Sequence, residues 1–421
     1  MKYRDCLKTL DQLGNEVLTM RPGLENIRQL LQEMGNPHLD YPGVLVAGTN
    51  GKGSITRFIA SIARSCGLLT GRFSSPHLVT VRERICLDEK PLGRKAFTES
   101  FDRVQRAART DRLSYPPTYF ETLCAVALDS FSCHNVDLAV LEIGLGGRLD
   151  STNVVDPLVS VLGPIGLDHQ SRLGNTIAEI AGEKAGIIRP STPVVSAPQP
   201  AEAERVIREV AANKGAPLSL IESHQVQLQH VSEGRYRIGF QDIHAELSVA
   251  GRHQGINAAV AIDTVKNLAR LGWTVPGECI STGLAAMQPF GVLHRISRLP
   301  DVYVDGGHNP DAARAVASFL ASHTQAPRTL VFSMMQDKDM TAVSEILTPL
   351  FEEVYLVEMT SSRAASASRL KEAFPQGVVV SNLNRTLREA RRRAACVLVF
   401  GSFRLAGKVL AERAALGNCR S

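Results

Sequence analysis

The stretch Val44–Ser54, VLVAGTNGKGS, constrains the fold more than any other part of the chain. A short apolar run stops abruptly in glycines, a lysine and a hydroxyl residue, the sequence form of a strand that feeds a phosphate-holding loop and then a helix. Gly48, Gly51 and Gly53 let backbone N–H groups turn inward toward an anion without side-chain obstruction. Lys52 adds a mobile positive charge, and the helix opening there aims the positive end of its dipole at the same point. The loop is shorter than the common GxxxxGK[ST] form, so a glycine-rich turn with an incidental lysine stands as the alternative, and the rest of the chain must decide.

The residues beyond the loop support a nucleotide site. Ile55–Cys66 continues as a helix with Phe58, Ile59 and Ile62 inward, and Gly67 ends it. A strand over 68–73 then runs into Ser74-Ser75-Pro76-His77-Leu78. A helix over 117–133 precedes a buried strand over 136–143, which ends in Glu142 and the glycines Gly144, Gly146 and Gly147. A third strand, 158–165, ends in Asp168-His169. In an open parallel sheet the carboxyl ends of the strands form the ligand crevice, so Ser75, Glu142 and His169 share one mouth. A carboxylate on a buried strand needs a cation. Magnesium held between Glu142 and phosphate is one candidate, and a structural ion pair with Arg148 is the other.

A helix over 176–186 comes next, on which Lys184 reads as a surface lysine. Residues 225–230, 236–240 and 245–249 alternate as antiparallel strands decorating the parallel sheet, and 251–259 opens a helix of small residues. After a break at Met287–Gly291 the alternation restarts, with strands at 302–305, 329–333, 353–357, 377–380 and 396–400 and helices between them. The expected class is therefore α/β: a P-loop parallel-sheet ATPase domain, 1–290, with a small antiparallel addition, followed by a smaller Rossmann-like α/β domain, 291–421. The first 43 residues read as helical with a break at Arg21-Pro22-Gly23. A net charge of +5 over 421 residues, with no basic tract interleaved with aromatics, excludes nucleic acid as the expected partner. Eight scattered cysteines without CxxC pairs, no apolar leader and no bilayer-length apolar run point to a cytoplasmic protein that does not engage a membrane. A monomer is the default.

These motifs together resemble the folylpolyglutamate synthase and dihydrofolate synthase family, relatives of the Mur peptide ligases. The resemblance runs through GTNGKGS, SSPHL, ERI (83–85), TYFE (118–121), LEIGLGGRLDSTN (141–153), GLDH, EKAGII (183–188), HQ with NA (257–258), DGGHNP (305–310), DKD (337–339) and GSF (401–403). It implies an ATP-dependent ligase that adds L-glutamate to a pterin acid through an acyl phosphate. By position it implies ATP contacts from Thr49, Asn50, Gly51, Lys52, Gly53, Ser54, Asn257, Asp305 and His308. Magnesium would be held by Ser54, Ser75, Glu142 and His169, and Lys184 stands where the family has a carbamylated lysine, which overturns the surface reading. Lys52, Glu142, His169 and Lys184 would carry the catalysis. The pterin would lie near the loop before Gly23 and near Thr118, Tyr119, Phe120, Glu121 and Asp150.

The chain departs from the family pattern in two places. Val292 stands where the resemblance places a phosphate-contacting arginine, with Arg295 three residues on as the possible substitute. Gly163-Pro164 stands where small hydroxyl residues are usual. A catalytically weakened nucleotide- or pterin-binding relative is accordingly the alternative. A Mur peptide ligase is disfavoured because the residues preceding Gly48 are too few for a UDP-recognition domain.

Overall fold

In the first strand, GVLVA, every residue is buried, so both of its faces need cover. Leu45 and Ala47 enter one apolar cluster with Phe73, Leu141 and the helix Tyr119–Cys133. Val44 and Val46 enter another with Val140, Val161 and the helices Lys52–Ser65 and His253–Arg270. The alternation of side chains across one strand thus places a helical layer on each side of the sheet. The computed structural model that establishes this describes residues 1–14, 21, 23–232 and 235–415. Most of the expected pterin-side loop before Gly23, including Pro22, lies outside the described residues.

The strands of the first sheet are β1 (Gly43–Ala47), β2 (Thr70–Phe73), β3 (Ile85–Leu87), β4 (Lys90–Pro91), β5 (Leu138–Glu142), β6 (Pro157–Leu162), β7 (Val194–Ser196) and β8 (Leu218–Leu220). Their spatial order is β4-β3-β2-β5-β1-β6-β7-β8. β1 lies between β5 and β6, parallel to both, so the phosphate loop, the Glu142 strand end and the chain leaving β6 emerge side by side. β3 and β4 turn back antiparallel at the edge. β6 ends at Leu162, three residues before the expected stop. There the Pro164 carbonyl accepts from the Thr49 N–H at 2.9 Å and the Asn50 N–H at 3.1 Å, so the backbone that would continue the strand is committed to the loop instead.

Strands β9 (Gln227–Ser232), β10 (Arg235–Phe240) and β11 (Ile243–Leu247) form a three-stranded antiparallel sheet of their own. This corrects the expectation that they decorate the parallel sheet. Tyr236, Ile238 and Phe240 point from β10 into the cluster shared with the helix His253–Arg270, while Arg235 and Arg237 face outward. The helix Arg94–Ala107, which buries Phe97, Phe101 and Val104, was not anticipated.

The third sheet contains β12 (His294–Arg298), β13 (Asp301–Asp305), β14 (Arg328–Phe332), β15 (Glu353–Val357), β16 (Val378–Val380) and β17 (Cys396–Phe400), in the order β12-β13-β17-β14-β15-β16. All pairs are parallel except β12 with β13, and β12 was not expected from the sequence. The helices Pro310–His323 and Phe403–Ala415 pack on its two faces. Among the described residues no helix is long and apolar enough to cross a membrane.

Candidate active site

Gly51 sits at φ +76° at the start of the Lys52–Ser65 helix, and a Cβ there would lie 2.4 Å from Asn257 Oδ1. Only glycine lets the loop turn this tightly against the helix His253–Arg270. The contact continues outward: Asn257 Nδ2 donates to Gln254 Oε1 at 3.1 Å, and Gln254 Nε2 donates to Ser54 Oγ at 3.2 Å. Thr49 Oγ1 donates to the Gly166 carbonyl at 3.0 Å. Lys52 Nζ folds back to the Gly48 and Thr49 carbonyls at 3.0 and 3.2 Å.

Glu142, 4% exposed at the end of β5, lies directly beneath this loop, its Oε2 3.6 Å from where a Cβ on Gly53 would stand. Its Oε2 accepts from the Ser75 N–H at 3.2 Å. Among the described residues no lysine or arginine pairs with it, and Arg148 instead pairs with Glu183 at 2.8 Å. Burial raises the Glu142 carboxyl to about 7, against the pull of Lys52. A buried carboxylate with one backbone donor and, among the described residues, no cation within ion-pair distance, beside a hydroxyl residue and a phosphate loop, fits a hard divalent cation.

Lys184 is buried, so the surface reading does not hold. Its Nζ donates to the Gly48 carbonyl at 2.7 Å, the same oxygen that Lys52 meets. Burial, with the Lys52 charge second, lowers it to about 7. A neutral amine is the form that attacks carbon dioxide, so this environment fits a carbamate.

Past β6, His169 adopts a left-handed conformation, φ +52°, that turns it and Asp168 into the cleft. Asp168, His169 and His308 bring possible ligand atoms within 4.8 Å of one another. The third sheet's lobe reaches this cluster through Lys338, whose Nζ lies 2.5 Å from Asp168 Oδ1 and 3.3 Å from His169 Nε2. Burial alone would raise the Asp168 carboxyl. The hydrogen bond to His308 and the charges of His169, His308 and Lys338 override it and hold the group well below the usual carboxylate range. Burial, reinforced by Lys338, lowers His169 to about 3 despite Asp168, so its imidazole is neutral near pH 7.

Asp305 ends β13 and accepts from the Leu293 and Gly307 N–H groups at 2.8 and 2.7 Å. Burial raises it to about 6. Asn309 caps the next helix and donates to Asn50 Oδ1 at 2.9 Å, a second tie between the lobes.

One cleft of about 1080 Å³ collects residues 48–54, Ser75, Glu142, His169, Lys184, Asn257, Asp305 and His308. Tyr119 lines it as well. Thr118 and Glu121 are engaged in a reciprocal helix cap, and Glu121 also accepts from Asn26 at 3.2 Å. Phe120 packs on Phe73 in the core, and Asp150 is buried under hydrogen bonds from Leu145 and Thr152. Arg295 does not line the cleft. It lies on β12 and pairs with Asp301 at 3.5 Å, while Val292 faces the cavity. Asp168 and Lys338 stand within the sequence motifs but were not expected as site residues. The signal that could have found Lys338 was a lysine between two aspartates in the loop that follows the apolar strand β14, just before the next helix.

Two lobes closing on a phosphate loop, with carboxylate, imidazole and lysine at the strand ends, define a nucleotide-dependent ligase of the Mur type. The Mur ligase middle domain matches residues 46–265, and the Mur ligase glutamate ligase domain matches 292–403. The chain belongs to the folylpolyglutamate synthase/dihydrofolate synthase family. It is 34% identical to the Bacillus subtilis dihydrofolate synthase/folylpolyglutamate synthase over 84% of this chain and 85% of that one. Against the Mycobacterium tuberculosis protein of the same name it is 33% identical, over 86% and 79%. It superposes on E. coli FolC in complex with DHPP and ADP with a TM-score of 0.88, 30% identity and 99% of each chain covered.

Proposed function

We propose that this chain joins L-glutamate to a pterin acid at the expense of ATP. The observation that carries the reading is the shared cleft, in which the phosphate loop, Glu142, His169 and Lys184 face Asp305, His308 and Lys338. A pterin carboxylate oxygen attacks the γ-phosphorus as the bond to the ADP oxygen breaks, giving an acyl phosphate. The glutamate amine then attacks the acyl carbon; the tetrahedral adduct expels phosphate with the C–O electron pair, and the amine nitrogen gives up its proton. Loop N–H groups from Thr49 to Ser54 and the Lys52 ammonium hold the phosphates, while Asn257, Asp305 and His308 complete the nucleotide site. Ser54, Ser75, Glu142 and His169 would hold magnesium, which supplies neutralisation of phosphate charge. Lys184 adds carbon dioxide at its neutral amine, releasing a proton and becoming a carbamate. Tyr119 supports the pterin assignment by lining the cleft beside the loop. Residues 1–290 serve as the ATP-binding lobe and 291–421 as the glutamate-binding lobe of a cytoplasmic monomer.

The test is steady-state ADP formation with dihydropteroate and with a tetrahydrofolate, each offered separately with ATP and glutamate. Glutamate-dependent ADP release with either acid is the expected result; release that ignores glutamate, or none, overturns the reading. Val292, which brings no charge into the cleft, motivates a second reading, a relative that binds nucleotide or pterin with little turnover. ATP binding without release would favour it.

Glu142 sets a pH dependence. Its carboxyl is raised to about 7, so below that pH a proton must leave before a cation enters. Magnesium affinity, measured through ATP binding, is expected to fall about fivefold between pH 7 and pH 6 and to level off above pH 8. Glu142→Gln should weaken magnesium throughout and flatten this profile; an unchanged profile would count against Glu142 as a ligand.

A further inference from the structure

A triphosphate brings several negative charges into the cleft, and the cations lining it differ in what already holds them. Lys52 and Lys184 both turn onto the Gly48 carbonyl. Arg57 pairs with Glu89 at 3.3 Å and stacks over Phe290. Arg84 donates to His77 Nδ1 at 2.9 Å. Lys338 is bound to Asp168, and Arg363 makes a two-oxygen contact with Asp337 at 3.0 Å. Arg404 lines the same cleft, is exposed, and has no hydrogen bond or ion pair among the described residues.

Its position matters as much as its freedom. Arg404 lies in the first turn of the helix Phe403–Ala415, next to Phe403, whose ring stands over Gly306 and within 6.2 Å of the His308 ring. The Gly306 N–H donates to the Gly291 carbonyl at 2.8 Å. Leu78 touches both ends of this corner, since Cβ atoms built on Gly291 and on Gly407 would each run into it. Val292 and Arg404 therefore enter the cleft from one packed corner.

We infer that Arg404 is a substrate-contacting arginine of the reaction, its guanidinium meeting the terminal phosphate oxygens of ATP and covering the charge that Val292 cannot. A planar guanidinium donates two parallel N–H bonds to a phosphate, and one free of an internal carboxylate gives up no partner to do so. The inference rests on the proposed ligase reading for its catalytic part and on the phosphate cleft alone for its binding part.

The experiment therefore has two readouts on the full chain. Arg404→Ala should weaken ATP about tenfold in direct titration while ADP changes less than twofold, because the contact is to the terminal phosphate. It should lower kcat for glutamate-dependent ADP release about 100-fold. Adding Val292→Arg to Arg404→Ala should recover at least tenfold of that loss, and Arg404→Lys should fall between Arg404→Ala and the parent, with thermal melts checking the fold. Unchanged ATP affinity in Arg404→Ala overturns the inference. So does a loss confined to the KM for glutamate that Val292→Arg leaves unrepaired, which would make Arg404 a carboxylate contact. A parent chain that binds ATP but ligates nothing sinks the ligase reading and leaves the ATP-against-ADP comparison to decide Arg404.

Discussion

Lys52→Ala is expected to lower kcat/KM for glutamate-dependent ADP release by about 10³-fold or more. The side chain lies in the phosphate loop, its Nζ on the Gly48 and Thr49 carbonyls, where it can swing to an arriving phosphate without repacking the core. The loop is held independently by hydrogen bonds with Pro164, Gly166 and Gln254, so thermal stability should change little. Steady-state rates with a melting curve on the same sample separate lost chemistry from lost folding. A reduction below tenfold would remove Lys52 from the phosphate site.

The second large effect belongs to Lys184. Its amine is lowered to about 7, first by burial and then by Lys52. Above that pH it is neutral and can take up carbon dioxide; below it the ammonium form predominates and cannot. Activity should therefore fall as pH drops through 7, fall again when dissolved carbon dioxide is stripped at pH 8, and return on adding bicarbonate. Lys184→Arg keeps a cation but cannot form a carbamate, and is expected to lose about 10²-fold or more. Wild-type rates indifferent to carbon dioxide would defeat the carbamate assignment while leaving the rest of the site intact.

The strand ends were legible because a parallel sheet converts an apolar run followed by a polar residue into a position at the crevice. Val44–Gly48, Leu138–Glu142 and Pro157–Leu162 are such runs, and the structure sets them side by side. Lys184 is buried although its sequence surroundings read as a surface helix, because helical spacing gives a face but not what covers it. Asp168 and Lys338 meet across 170 residues and two sheets, and nothing local marks that pairing. The same limit explains β9–β11, whose alternation fixed an inner and an outer face but not the sheet they would join. The Arg94–Ala107 helix carries Phe97, Phe101 and Val104 at helical spacing, so its pattern was present but diluted among many charged residues. Arg295 could stand in for the missing arginine only on a helical or shifted segment, and it lies instead on the strand β12, paired with Asp301 and outside the cleft lining.

The bridge from Asn309 to Asn50 joins the amino end of a second-lobe helix to the loop itself. Any swing of one lobe away from the other pulls on the turn that must cup the phosphates. Loop shape and lobe separation are thus coupled at this contact, and a change that shifts the amino end of the Pro310–His323 helix bears directly on the loop that cups the phosphates.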